Sequence, residues 1–133
     1  MKQTGVRGEL LVAEKLISKG WAVAVPIGDY DPVDMLASKV DVIRRIQVKS
    51  SLEQHKYPNK QIHYQFQLSS GTGNTKKKYD PNLFDFFICC ALDSHRFWII
   101  PLSEIDTVTI KIYEGTMGGK YQAFEDAWVL LEK

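Results

Sequence analysis

The sequence predicts a single domain of the α/β (α+β) class, in which a mixed central β-sheet is flanked by helices. Residues 4–19 repeat apolar side chains at helical spacing, and residues 42–50 alternate as a half-buried strand does. Residues 84–92 form the almost wholly apolar run of a strand covered on both faces. A chain of 133 residues can bury one such core, so we expect residues 1–133 to form one domain.

The composition, 44% hydrophobic and 25% charged, is that of an ordinary globular protein. No apolar run is long enough to span a membrane, and the first residues lack the apolar core of a signal peptide. Cys89 and Cys90 are neighbours in a strand and would point to opposite faces, so they are a poor disulfide pair. We therefore expect a cytoplasmic protein without a membrane partner.

The first predicted helix covers Thr4–Lys19, with Thr4 as its N-cap and Gly20 as its end. Its predicted buried stripe consists of Val6, Leu10, Ala13, Leu16 and Ile17. Glu9 falls inside that stripe, where an acid is costly unless it is paired or binds a metal. Alternatively, Glu9 reaches solvent in the first turns, where the helix dipole also favours an acid.

The next stretches predict a strand over residues 21–26, a loop over 27–32 and a hairpin over 33–50. In the hairpin, a strand at residues 33–37 and a turn near 38–41 place Asp34 opposite positions 45–47. Asp29 and Asp31 are rival acids, but loop acids before proline usually serve turns, so Asp34 ranks above them.

Gln47 and Lys49 share one face of the second hairpin strand with Arg45, while Ile46 and Val48 point to the other face. The oxygens of Asp34 and Gln47 are ligands that Mg²⁺ prefers, and the backbone carbonyl of Val48 is a further candidate. Lys49 can orient or deprotonate a water, or stabilise charge on a phosphate. The alternative is an amphipathic hairpin whose polar face is merely solvated.

The rest of the chain alternates strands and turns. The predictions are a loop over 51–60, a strand over 61–68, a flexible loop over 69–78, a strand over 84–92, a turn over 93–95, a strand over 97–101, a helical turn over 103–106, a strand over 107–113 and a helix over 121–132. In the last helix, Phe124, Trp128 and Leu131 would form the buried side.

Charge is unevenly distributed although the net charge is only +1. Residues 54–79 contain five lysines and no acid, which indicates an anion-binding surface. The candidate nucleic-acid contacts are Lys56, Lys60, Lys76, Lys77 and Lys78, with Arg44 or Arg45 as helpers. Gln61, His63, Gln65 and Gln67 on the polar face of the neighbouring strand are candidates for reading base edges. The alternative is a solvated lysine loop beside an ordinary strand face.

The order of Glu9 on a helix, Asp34 before a strand and Gln47-Val48-Lys49 on the next strand resembles the PD-(D/E)XK nuclease superfamily, with Gln47 in the Asp/Glu place. Residues 45–50, then Tyr79, residues 84–87 and Ile100-Pro101, resemble its group I intron-associated homing endonucleases. The resemblance covers residues 5 to about 102.

This resemblance implies a mixed, mainly four-stranded sheet flanked by helices, the restriction-endonuclease-like core. It implies Mg²⁺-dependent hydrolysis of double-stranded DNA, with Mn²⁺ as a substitute ion. Asp34 would be the main metal ligand, Gln47 and Glu9 would complete the metal shell, and Lys49 would orient the nucleophile. Because Gln47 replaces a carboxylate, metal affinity should fall or depend more on Glu9.

Four functions remain open from the sequence. The first is a site-specific DNA endonuclease, which would need a homo-oligomer, a dimer or tetramer, to cover a long site. The second is a structure-specific nuclease similar to archaeal Holliday-junction resolvases, which share the order of Glu, Asp and Lys. The third is a catalytically silent nucleic-acid-binding module on the same fold. The fourth is a protein-interaction domain that does not bind nucleic acid, in which the lysine-rich segment serves only solubility.

Overall fold

The computed structural model describes residues 3–28, 32–59, 61–68, 80, 82–114 and 119–133. They form one α-helix, seven strands and short 3-10 turns. The elements are α1 (Gln3–Ser18), β1 (Ala22–Ala24), β2 (Met35–Lys39), β3 (Val42–Ser51), β4 (His63–Gln67), β5 (Phe86–Ala91), β6 (Arg96–Pro101) and β7 (Thr109–Tyr113). No helix within these ranges is long and apolar enough to cross a membrane.

The helix α1 ends as the sequence predicts but begins differently. Gly20 adopts a φ of +93°, the amide of Trp21 donates to Leu16 O at 3.0 Å, and that of Gly20 donates to Ile17 O at 3.0 Å. This is a Schellman motif, in which glycine accepts the left-handed conformation without strain. Thr4 lies inside the helix, so the prediction that it is the N-cap was wrong.

The predicted buried stripe of α1 was wrong for Leu10 and Ile17 but right for Leu16. Leu10 and Ile17 are 65% and 61% exposed, whereas the buried residues are Gly8, Val12 and Leu16. The helix carries apolar side chains on two faces. The buried face follows the i, i+4, i+8 row that begins at Gly8. A Cβ at position 8 would overlap Ser50 Oγ and lie 3.1 Å from Ser50 Cβ, so Gly8 lets the helix pack directly against β3.

The larger sheet has five strands in the order β1-β2-β3-β5-β6, one more than the resemblance implies. β3 and β5 are parallel, and the other neighbouring pairs are antiparallel. The β2–β3 hairpin closes through Val40 and Asp41, and Val40 has a φ of 51°. As predicted, the strand in the 84–92 run lies within the sheet and all six of its residues are buried.

Two cores lie on the two faces of this sheet. Val12 and Leu16 of α1 pack with Ile46, Val48 and other residues on one face. On the opposite face, the antiparallel pair β4–β7 covers β5 and β6 through Tyr64, Phe66, Ile110 and Ile112. The alternation predicted for β3 is therefore confirmed, since Ile46 and Val48 face α1.

The predicted helix over residues 121–132 was wrong. Two 3-10 turns, Gln122–Phe124 and Trp128–Glu132, flank a break where Asp126 has a φ of 53° and its amide donates to Phe97 O at 2.9 Å. Glu125 forms an isolated bridge with Trp98, so pairing with β6 displaces helical hydrogen bonds. Trp128 and Leu131 are nevertheless buried, as predicted. The helical turn predicted over 103–106 is a 3-10 turn at Leu102–Glu104.

Candidate active site

Asp34 lies immediately before β2 and is held against β3 by three hydrogen bonds. Its amide donates to Ile46 O at 2.8 Å, and its Oδ2 accepts from the Val48 amide at 2.7 Å and from Gln47 Nε2 at 3.1 Å. The register pairs Met35 with Ile46, which puts Asp34 opposite Gln47, as the hairpin pattern predicts. A carboxylate fixed in this way needs little reorganisation to bind a ligand.

Gln47 is 6% exposed although its side chain is polar. Its Nε2 donates a hydrogen bond to Asp34, but its Oε1 is buried and has no hydrogen-bond partner among the described residues. A buried carbonyl-type oxygen without a donor is costly, and a bound cation would satisfy it. The amide orientation leaves this oxygen, rather than the nitrogen, available to such a cation.

Glu9 approaches the same site from α1. Burial, and then repulsion by the Asp34 carboxylate, raise the pKa of Glu9 above its ordinary value. The close packing at Gly8, the preceding residue, explains how a helix on the far face of the sheet brings an acid within range of Asp34. Two carboxylates that repel each other in this way are suited to sharing a cation.

Lys49 follows Gln47 on the same face of β3 and is paired in register with Cys89 of β5. Burial raises the pKa of Cys89 more than the positive charge of Lys49 lowers it. Burial likewise raises the pKa of Cys90 to about 11. Both thiols are free, as predicted, and stay protonated at neutral pH, so they are poor nucleophiles.

These donors fit a hard divalent cation. Asp34 and Glu9 supply carboxylates and Gln47 supplies the unpartnered oxygen, a set that suits Mg²⁺ rather than zinc. In the described part of the chain no three His, Cys, Asp or Glu residues cluster in a way that could hold a metal. A cation bound between Asp34 and Glu9 would have Gln47 as its third side-chain ligand.

Arg45, a predicted helper in DNA binding, has structural partners. Its guanidinium pairs with Asp85 at 3.2 Å and donates to Asn82 O at 2.9 Å, while its amide donates to Asp85 Oδ2 at 2.7 Å. Burial acts in the opposite direction, but these interactions hold the pKa of Asp85 below its ordinary value. The sequence analysis did not identify Asp85 as a partner of Arg45. The feature that could have indicated it is a single acid at the start of an otherwise apolar strand.

The predicted DNA-contact residues are only partly described. Lys56 is exposed in the loop after β3, whereas Lys60, Lys76, Lys77 and Lys78 lie outside the described residues, as do Asp29 and Asp31. Among the candidate base readers, His63 is only 4% exposed, so it is not available to a groove. Gln61 donates to Glu114 O at 2.9 Å, and Gln67 accepts from Thr109 at 3.1 Å.

Comparison with known proteins identifies the family of this chain. The family model of the PD-(D/E)XK endonucleases matches residues 1–127, and the chain belongs to that family. No curated protein sequence matches the chain.

Two solved structures resemble the fold. The bacterial homing endonuclease I-Ssp6803I superposes with a TM-score of 0.81 at 19% identity, over 96% of this chain and 89% of that one. Hjc from the archaeal hyperthermophile Archaeoglobus fulgidus, a Holliday junction resolvase, gives a TM-score of 0.55 at 15% identity, over 84% of this chain and 85% of that one. The predicted restriction-endonuclease-like fold is thus confirmed.

Proposed function

We propose that this nuclease is a Mg²⁺-dependent endonuclease that hydrolyses phosphodiester bonds in double-stranded DNA at specific sites. The observation that carries the proposal is the buried, unpartnered Gln47 Oε1 beside Asp34, with Glu9 repelled by the same carboxylate. Membership of the PD-(D/E)XK family and the extensive likeness to a homing endonuclease support it.

The residues divide the chemistry among them. Asp34, Gln47 and Glu9 would hold Mg²⁺, with the Val48 carbonyl as a further candidate ligand, and Mn²⁺ would substitute. The bound ion would neutralise the phosphate and lower the pKa of a water. Lys49, on the same face as Gln47, would orient that water and stabilise the charge that develops on the phosphate.

The proposal includes a homo-oligomer and a cytoplasmic location. A domain of 133 residues covers few base pairs, so recognition of a long site requires two or four copies. Lys56, Lys60 and the lysines at 76–78 would contact phosphates, and Arg45 would contribute only in addition to its pairing with Asp85.

The test is incubation of the purified protein with circular DNA and Mg²⁺, followed by sequencing of the ends. We expect discrete cuts that require a divalent ion. Asp34→Asn is the matched control, because it removes one charge at nearly constant size; it should abolish cleavage while DNA binding persists or strengthens. DNA binding without cleavage by the parent under any divalent ion would instead indicate the silent binding module.

A second candidate function, cleavage of branched DNA, is supported by the likeness to the archaeal resolvase. A four-way junction of defined sequence should therefore be included beside the circular DNA. Preference for the junction whatever its sequence would favour a structure-specific nuclease, whereas cuts confined to one sequence in either substrate would favour a site-specific enzyme.

A further inference from the structure

An open cleft of about 430 Å³ lies at the carboxyl ends of β3 and β5. Its lining residues are Glu53, Gln54, His55, Lys56, Tyr57 and Asp93. Because β3 and β5 run parallel, the segments that follow them meet at one edge, where the Leu92 amide donates to Ser51 O at 2.9 Å. The volume falls in the range of small-ligand sites.

Two of the lining residues, His55 and Tyr57, belong to a group of aromatic rings that contact one another. The backbone of His55 exchanges hydrogen bonds of 2.7 and 3.2 Å with His63, and the two imidazoles stack with centroids 5.4 Å apart and planes 15° apart. His63 in turn contacts Tyr113 at 5.1 Å between ring centroids. The hydroxyl of Tyr57 lies 2.9 Å from His55 Nδ1, yet the residue is 52% exposed. The loop therefore presents an anchored ring to solvent, which suits stacking.

The charges in the cleft select against a phosphate. Glu53 and Asp93 carry two negative charges against the one positive charge of Lys56. Asp93 Oδ1 already accepts a hydrogen bond from Tyr64 at 2.7 Å, which fixes its carboxylate at the rim. Carboxylates accept hydrogen bonds from the amino groups of bases, whereas they repel an anionic phosphate.

We propose that this cleft binds an unpaired base of the DNA substrate, stacked on Tyr57 and His55, with Lys56 on a flanking phosphate. Bases that carry an exocyclic amino group are preferred over thymine, because Glu53 and Asp93 accept from that group. The proposal rests on the function proposed above. Lys49 and Glu53 are four positions apart in the chain and thus at most about 14 Å apart, so the base would lie a few nucleotides from the cleaved phosphate.

The experiment measures fluorescence anisotropy without divalent ions, using duplexes that are fully paired or carry a single unpaired C or T. We expect the parent to bind the unpaired C most tightly. Tyr57→Ala should weaken binding of that duplex by roughly 5- to 150-fold, the usual effect of removing one stacking ring, and leave the paired duplex unchanged. Tyr57→Phe keeps the ring and should retain most of the affinity. Glu53→Ala, at an exposed position, removes one of the two acceptors and should reduce the preference for C over T.

Equal affinity of the parent and Tyr57→Ala for the unpaired-C duplex would overturn the proposal, as would an equal loss on all three duplexes. If Tyr57→Ala does not fold, the Glu53→Ala comparison decides alone, and an unchanged preference for C over T overturns the proposal. Cleavage of circular DNA with Mg²⁺ by the same parent preparation separates the two ideas. A parent that cuts but shows no effect of the unpaired base overturns only the cleft, whereas one that neither binds nor cuts DNA also overturns the proposed function.

Discussion

Gln47 is the residue at which this chain departs from its family's pattern of two acids. In the structure it is buried, donates to Asp34 and keeps one oxygen without a described partner. If this side chain served only to pack the core, its buried oxygen without a hydrogen bond would destabilise the folded protein by about 1–3 kcal/mol. This cost is understandable if the oxygen serves a cation.

We expect Gln47→Glu to retain cleavage, because the carboxylate offers the same oxygen and restores the usual ligand of the superfamily. Gln47→Ala should lower the cleavage rate by at least about tenfold, since it removes a ligand. Single-turnover cleavage with Mg²⁺ and Mn²⁺ measures both. If Gln47→Ala cuts as fast as the parent, Gln47 does not belong to the active site.

Glu9 gives a prediction about stability. Its pKa is raised in the folded state, so its ionisation opposes folding at neutral pH, and this penalty disappears as the pH falls through that raised pKa towards the unfolded value near 4.5. Glu9→Gln should therefore stabilise the metal-free protein at pH 7, by less than about 1 kcal/mol because the group is partly exposed, and have little effect near pH 4.

With Mg²⁺ bound, we expect the parent to be more stable than Glu9→Gln. An ion at a hundred times its Kd stabilises the protein that binds it by about 2.7 kcal/mol. Glu9→Gln has lost one carboxylate, so Mg²⁺ should stabilise it by less. Thermal unfolding with EDTA or Mg²⁺ measures this, and Glu14→Gln, an exposed acid on the same helix, is the control. Identical responses of the parent, Glu9→Gln and Glu14→Gln to Mg²⁺ would exclude Glu9 from the metal site.

At the scale of elements, the sequence located the helix and the hairpin but not the face that α1 buries. Hydrophobic spacing alone favoured Leu10 and Ile17, which are exposed. The decisive feature is a close contact between Gly8 and Ser50, residues 42 positions apart in the chain. A tertiary contact of this kind determines the buried face whatever the local periodicity. In the sequence, the only indication of it is the glycine in the row Gly8, Val12, Leu16.

This contact can be tested with two glycines of one helix. Gly5 has open space around it, so Gly5→Ala should stabilise the protein by up to about 1 kcal/mol through helix propensity. Gly8→Ala offers the same propensity but forces α1 away from β3, and should cost about 1–3 kcal/mol. Denaturant unfolding measures both. Ser50→Ala in the Gly8→Ala background removes the overlapping Oγ and should recover part of the loss; stabilisation by Gly8→Ala alone would contradict the packing argument.

For the whole molecule, the sequence predicted a sheet with a strand buried on both faces, and the two cores confirm it. It did not predict that β4 and β7 leave the main sheet to form a separate pair, because alternation does not specify partners. It also predicted a terminal helix where residues 125 and 126 instead bond to β6. Local patterns thus identified most strands, whereas pairing depended on contacts distant in sequence.

The lysine-rich segment should determine how strongly DNA binding by the whole chain depends on salt. Residues 54–79 hold five lysines without an acid, and each phosphate that they neutralise adds about 0.9 to the slope of log affinity against log salt. Replacing Lys76, Lys77 and Lys78 with alanine should weaken binding to all sequences and lower that slope by up to roughly 2.7. Fluorescence anisotropy across a salt series measures it.

The matched control removes the same charge from the face of the sheet that α1 covers. Lys15 of α1 and Lys19, which follows the helix, lie over Phe97 and Trp128, on the face that is opposite to Gln47 and Lys49. With Lys133, at the end of the segment packed on that face, they make a second triple alanine variant, whose salt slope should equal the parent's. If both triple variants change the slope equally, net charge rather than a defined lysine surface governs binding, because only contacts at the interface release counterions selectively.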